Sequence, residues 1–360
     1  MFGIYVHIPY CRTLCPYCDF VKERTGASAP APFVDALLKE IDAFEGPDEA
    51  GSIFFGGGTP SLLEAGDLSR ILDALARRFR MAGPEITTEC NPDDITPDLV
   101  RAFQDCGVNR ISLGVQSLDD RVLRYLGRRH DAASALRACD QVAAVFDTWN
   151  LDLIFGAPPI DAWPETLRGV RALDPPHVAA YGLTYEAGTP FERKKSEAVD
   201  DDTALRLYQD VEAALAEYAH YEISNFAKPG HEAKHNLVYW HNEGYAGFGT
   251  GAYSFVDGIR ARNHVKTEDY LRAPGAKCES LALTVEEIKV ETLIQHFRLR
   301  EGLPRAGYAA RFGVSLEADF GPVLAALQAR GWLESTETNV RPTAEGFYLN
   351  NEIGLALVDA

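Results

Sequence analysis

The chain is short of the marks of several broad classes. No apolar run in its 360 residues approaches the roughly 20 that a membrane-spanning helix needs, and its first residues read as a strand rather than a secretory leader. A cytoplasmic protein that inserts into no membrane by itself is therefore expected. Basic residues are outnumbered, 35 Lys and Arg against 53 Asp and Glu, for a net charge of −18. Phosphate binding depends on clustered cations, so a nucleic-acid partner is not expected. Cysteines number seven, an odd count with four of them (Cys90, Cys106, Cys139, Cys278) scattered, which excludes a disulfide framework and fits a reducing compartment. The Gly247-x-Gly249-x-Gly251 run does not open a βαβ unit of the kind that carries the acidic residue of a dinucleotide fingerprint, and a loop closing over a barrel mouth is expected there.

Hydrophobic content of 46% and charged content of 24% are ordinary for a globular protein, and the length allows one large α/β domain with a small appendage. Short β-branched and aromatic runs recur at 4–8, 52–55, 85–89, 110–115, 150–155, 178–185 and 221–223. Amphipathic stretches alternate with them, such as Phe33, Leu37, Leu38 and Ile41, or Leu68, Ile71, Leu72, Leu75 and Phe79. Thr96 followed by Pro97 marks one helix start, and another helix is expected from Asp131 to Phe146. Six or so β-α units predict a parallel sheet with helices outside; periodicity does not separate an open (β/α)6 barrel from a doubly wound sheet. From 284 the pattern changes to short helices (284–300, 316–330) and a hairpin ending in 344–350, a winged-helix-like outline. Acidic residues outnumber Lys and Arg there, so it predicts a packing or docking module rather than a DNA reader. The expected division is 1–227 for the barrel with its N-terminal loop, 228–283 for an extension, and 284–360 for the C-terminal domain.

Four stretches carry the chemistry. Cys11, Cys15 and Cys18, in C-x3-C-x2-C spacing, are presented by one loop around one centre, which is a metal-site pattern open to zinc or an iron–sulfur cluster. A closed zinc site needs four donors, whereas three thiolates on a four-iron cube leave one iron free to bind a ligand. Phe54-Phe55-Gly56-Gly57-Gly58-Thr59-Pro60 removes Cβ atoms where backbone must approach a ligand or turn tightly, without the Lys-Ser/Thr of a P-loop. Glu89, Gln116, Arg128 and Asp152 fall at or near strand ends; polar groups facing a barrel interior are costly unless satisfied, so as a group they predict a polar ligand. Lys234-His235-Asn236-Leu237-Val238-Tyr239-Trp240 sets a metal-capable imidazole beside flat rings, a composition suited to haem, although the residues alone favour a buried aromatic corner with a hydrogen-bonded histidine.

Tyr5-x-His7-x-Pro9 with the three cysteines, and the GGGTP stretch, resemble the radical S-adenosylmethionine (SAM) superfamily. The resemblance implies an α/β fold, a partial (β/α)6 TIM-like barrel with a small C-terminal winged-helix-like domain. It also implies a [4Fe-4S] cluster on Cys11, Cys15 and Cys18, and SAM held by Tyr5, Gly57, Gly58, Thr59, Glu89, Gln116, Arg128 and Asp152. An electron donor would reduce the cluster. No catalytic residue is implied.

The intact HNxxYW segment is similar to that of HemW-type haem chaperones, which implies haem bound through His235, Asn236, Tyr239 and Trp240, with His235 the candidate iron ligand. The related HemN-type oxygen-independent coproporphyrinogen III oxidases carry a fourth cysteine where this chain has Phe20, and an N-terminal extension where only ten residues precede Cys11. The expected function is therefore haem delivery to recipient haem proteins such as respiratory enzymes, without oxidase activity. The alternatives are decarboxylation of coproporphyrinogen or radical chemistry on another substrate. A homodimer is compatible with the sequence and is not specified by it.

Overall fold

The computed structural model describes residues 1–26 and 28–359. Six strands run parallel in sequence order: β1 (Gly3–Ile8), β2 (Ser52–Gly57), β3 (Glu85–Cys90), β4 (Arg110–Gln116), β5 (Trp149–Phe155) and β6 (His177–Gly182). Most of their residues are buried, as expected where a parallel sheet is covered on both faces. Between them, helices bury the apolar stripes that the sequence spacing marks. Phe33, Val34, Leu37 and Ile41 of the helix Ala31–Asp42 are buried, as are Leu68, Ile71, Leu72 and Leu75 of Ala65–Arg78. Each such side chain contributes about 1.5–3 kcal/mol of transfer free energy. The Thr96 hydroxyl accepts the Leu99 N–H at 3.2 Å with Pro97 in the first turn, and Asp131 caps the helix Ala132–Ala143.

The cylinder does not close. β7 (Ala219–Glu222) and β8 (Asn225–Ala227) form an antiparallel flank, with β8 against β6. At the other edge β9 (Tyr245–Phe248) pairs parallel to β1, followed by antiparallel β10 (Tyr253–Val256), β11 (Ile259–Asn263) and β12 (Lys277–Ala282). The order 12-11-10-9-1-2-3-4-5-6-8-7 keeps β1 and β6 apart. This is the open partial barrel.

One expectation is overturned here. The glycine-rich stretch is not a loop over the barrel mouth: it is two strands, β9 and β10, joined by a tight turn. Aromatic residues between the glycines pair in the sheet, and only 249–252 turns. Gly249 has φ +95°, and a Cβ there would lie 2.3 Å from the His7 carbonyl oxygen, so glycine is what allows this turn to sit against β1.

The C-terminal segment has a separate core of Leu293, Phe297, Tyr308, Phe320, Leu324 and their neighbours. Thr284 and Glu287 form a capping box at the start of the helix Val285–His296. A three-stranded antiparallel sheet (Leu303–Pro304, Leu333–Ser335, Asn339–Pro342) stands beside the helices Arg305–Phe312 and Leu316–Ala329. Within the expected 284–360 domain the chain ends in the helix Asn350–Val358, whose Ile353 and Leu357 complete this core.

Candidate functional site

The cysteine loop leaves the C-terminal end of β1. Its base is pinned by a short parallel pairing of Tyr10–Cys11 with Glu23–Arg24. The Lys22 ammonium donates to the Cys18 carbonyl, and the His7 ring Nε2 meets the Val21 carbonyl at 2.7 Å. Cys11, Cys15 and Cys18 all line one cavity of about 470 Å³ inside the barrel. Among the described residues no three His, Cys, Asp or Glu side chains converge on a single-ion point. Thiolates that each take a different corner of a cube have no need of such convergence, and the donor set suits iron–sulfur ligation. Burial pushes the Cys11 and Cys18 thiols up, so ionising them falls to a bound cation.

Of the eight residues expected around SAM, seven share this cavity with the cysteines: Gly57, Gly58, Thr59, Glu89, Gln116, Arg128 and Asp152. Gly57 has φ +106°, and a Cβ there would stand 2.4 Å from the His7 ring, so the backbone passes closer to the barrel wall than any other residue permits. The Thr59 hydroxyl accepts from Asn91 Nδ2 at 3.2 Å. Gln116 has φ +67° at the end of β4. The half-buried Arg128 donates through Nη2 to Asn91 Oδ1 (2.5 Å) and the Gly114 carbonyl (2.7 Å), and its Nη1 lies 3.5 Å from Cys15 Sγ. Tyr5 is not in this lining. Its hydroxyl bonds His7 Nδ1 at 2.9 Å and its ring stacks on Phe54 and His235, one layer below.

Two carboxyls in the cavity are displaced from their ordinary range. Burial, and then the charge of Asp152, push Glu89 up to about 8. Burial also raises Asp152, to about 6, against the pull of Asn150, Arg110 and Ser112. Two carboxyls displaced in this way within one cleft mark it as a candidate ligand site.

The HNxxYW segment folds as the helix Lys234–Trp240 and lies at the opposite end of the barrel from the cysteines. The Lys234 and His235 N–H groups both donate to the Glu85 carboxylate at 3.1 Å, and His235 Nδ1 meets the Ser52 hydroxyl at 2.9 Å; Ser52 and Glu85 are the first residues of β2 and β3. His235 is 1% exposed, stacks on Phe54 with centroids 5.2 Å apart, and has its Nε2 at 2.9 Å from the Tyr239 hydroxyl. Both ring nitrogens are engaged, and burial lowers its pKa to about 3, so the ring is neutral. Trp240 packs under the Arg298 guanidinium at 4.3 Å. Only Asn236 of the four expected haem contacts reaches the cavity lining. At its far end the helix is gripped by the C-terminal domain: Asn242 Nδ2 donates to the Thr292 hydroxyl at 3.0 Å, and Arg311 donates to the Asn242 carbonyl at 2.9 Å.

Several residues near this helix escape a reading by motif. Glu85 holds the helix start. Asn150 bridges Asp152 Oδ1 (2.6 Å) and His177 Nδ1 (2.6 Å), and His177 Nε2 reaches the Tyr221 hydroxyl at 2.9 Å, which accepts the Ala233 N–H at 3.2 Å. A chain of hydrogen bonds thus joins Asp152 to the segment entering the 234–240 helix. The available signal was a polar residue at the first or second position of apolar strands: Glu85, Arg110, Asn150 and His177.

A family profile described as the Radical SAM superfamily matches residues 5–168, and one described as the HemN C-terminal domain matches residues 283–349. Heme chaperone HemW of Bacillus subtilis (strain 168) is 31% identical over 98% of this chain and 98% of its own length. Heme chaperone HemW of Escherichia coli (strain K12) is 34% identical over 99% of this chain and 98% of its own. The solved structure of coproporphyrinogen III oxidase (HemN) from Escherichia coli, a radical SAM enzyme, superposes with a TM-score of 0.85 over 99% of this chain and 89% of that one, at 24% identity; at that identity the likeness speaks for the fold. With end-to-end identity above 30% to its curated relatives, the chain belongs to the HemW family within the radical SAM superfamily.

Proposed function

We propose that the chain is a haem carrier that holds a [4Fe-4S] cluster on Cys11, Cys15 and Cys18, binds SAM in the adjoining cavity, and hands haem to recipient haem proteins such as respiratory enzymes. The observation that carries the reading is that the three thiols share one cavity with Gly57, Gly58, Thr59, Glu89, Gln116, Arg128 and Asp152, in a chain akin over its whole length to proteins named heme chaperones. When bound, the cluster supplies an iron with a free coordination position and a store for one electron, delivered by an electron donor. Thr59 and the Gly57–Gly58 backbone line the ligand's path, and Arg128, beside Cys15, places a fixed positive charge against the thiolate. Glu89 and Asp152 supply acceptors or, when protonated, a donor.

His235 is the candidate iron ligand for haem, and its geometry sets a condition. Ligation needs a ring nitrogen lone pair, and both nitrogens are already committed, to Ser52 and Tyr239. Haem loading through His235 therefore requires the 234–240 helix to shift from the barrel end. The test is anaerobic cluster reconstitution followed by haem titration of the parent protein and His235→Ala, then transfer to an apo haem protein with and without SAM. Haem binding that falls in the variant, and transfer to the recipient, are the expected results. Decarboxylation of coproporphyrinogen by the reconstituted protein, or zinc in place of iron, would overturn the reading.

A further inference from the structure

Arg110, the first residue of β4, is 2% exposed and lines the cavity. Its side chain makes no hydrogen bond and no ion pair with any described residue, and its Nε is buried without a partner. Asp152 lies within electrostatic reach, but its carboxylate is taken by Asn150 Nδ2 (2.6 Å) and Ser112 Oγ (3.3 Å) rather than by the arginine. Two more polar side chains of the same lining, Tyr181 and Asn236, also make no hydrogen bond among the described residues.

A guanidinium remains charged under all ordinary conditions, and a buried charge that no carboxylate meets directly is costly to a fold. Such a group is retained where an anion arrives to meet it. The planar fork suits a carboxylate, which it can hold with two parallel hydrogen bonds, and the phenol and amide are further polar groups of the same lining. The position is telling. Arg110 stands at the start of its strand, away from the cysteine loop, on the side of the cavity where Asn236 of the HNxxYW helix enters the lining.

We propose that Arg110 is the anchor of a carboxylate-binding subsite in the barrel interior, and that the carboxylate it takes is a propionate of the carried haem. This rests on the haem-carrying reading. Carboxylates from two sources can reach the cavity, those of haem and that of SAM, and the experiment separates them.

Full-length protein with its cluster and SAM is titrated with haem and with haem dimethyl ester, in which both propionates are masked. The parent binds the free acid about tenfold more tightly, the scale of one charge-assisted pair; Arg110→Gln loses that preference and Arg110→Lys keeps part of it. Equal affinity of the parent for acid and ester overturns the proposal. So does a preference that survives in Arg110→Gln. In a parallel arm, SAM and decarboxylated SAM keep the same affinity ratio in parent and Arg110→Gln; a change confined to this pair overturns the propionate assignment. The melting temperature of the ligand-free chain is an independent readout. Removing an unpartnered buried cation raises it in Arg110→Gln, whereas an arginine serving the fold would lower it, and a lowered value overturns the proposal. If the parent binds no haem at all, the carrier reading fails, and the melting temperature still reports on the subsite.

Discussion

The backbone N–H of Gly57 donates to Glu89 Oε2 at 3.1 Å, binding the glycine turn after β2 to the end of β3. This one contact joins the two motifs that the sequence places 32 residues apart, and it engages a carboxyl that is otherwise kept neutral. Burial and the nearby Asp152 charge hold Glu89 at about 8 instead of the ordinary 4.5.

The raised value makes a stability prediction with a definite sign. A carboxyl whose native pKa exceeds its unfolded one binds an extra proton in the native state, so its contribution is full below about pH 4.5 and is lost as pH rises to about 8. The ligand-free chain should lose stability across that window with a slope of up to about 1.4 kcal/mol per pH unit from this group. Glu89→Gln should flatten the slope. Denaturant midpoints at pH 5, 6, 7 and 8 decide it; an unchanged slope in the variant would mean another group is responsible.

Gly57→Ala should cost about 1–3 kcal/mol, because it forces a side chain into a φ of +106° with the His7 ring in the way. The same change should weaken SAM binding by displacing the turn. Thermal denaturation with and without SAM measures both effects, and a wild-type melting temperature would contradict the geometry.

Replacing any one of Cys11, Cys15 or Cys18 by alanine should abolish iron and sulfide retention after anaerobic reconstitution. Cys278→Ala, at an exposed position on β12, should retain both. Iron analysis and the visible absorption of the cluster give the answer; retention of a full cluster in Cys18→Ala would remove that residue from the ligand set.

Glu85→Ala leaves the N–H groups of Lys234 and His235 without their shared acceptor. A loss of about 1–3 kcal/mol of stability is expected for a buried donor left unmade. If haem reaches His235 by displacing the helix, stopped-flow association should accelerate in this variant while the final complex keeps the same spectrum. Slower association would show that the seated helix is itself the binding form.

The alternation of strands and helices was legible because its signals are local, whereas closure into a partial barrel came from the resemblance. Strand runs such as 110–115 and helix stripes such as Phe33–Leu37–Ile41 repeat with the two periods that burial imposes, and Thr96-Pro97 starts a helix whatever surrounds it. The cysteine loop and the GGGTP turn were legible for a similar reason, since each functions within a few consecutive residues. What the sequence hid was direction and partnership. Nothing within HNLVYW says that His235 turns inward to Ser52, 183 positions away. Nor does anything in the run Arg110 to Val115 say that the Nε of its first residue is buried without a hydrogen-bond partner. The glycine-rich stretch misled because glycines read as loop, whereas here they let β9 and β10 cross closely at a sharp reversal.

The short helix 234–240 is moored at both ends to different bodies: Glu85 and Ser52 on the barrel at its start, and Thr292 and Arg311 of the C-terminal domain just past its finish. It thus works as a drawbar between them. In seven residues the chain therefore spans from its outer appendage to its innermost ring, with hydrogen bonds fastening each end.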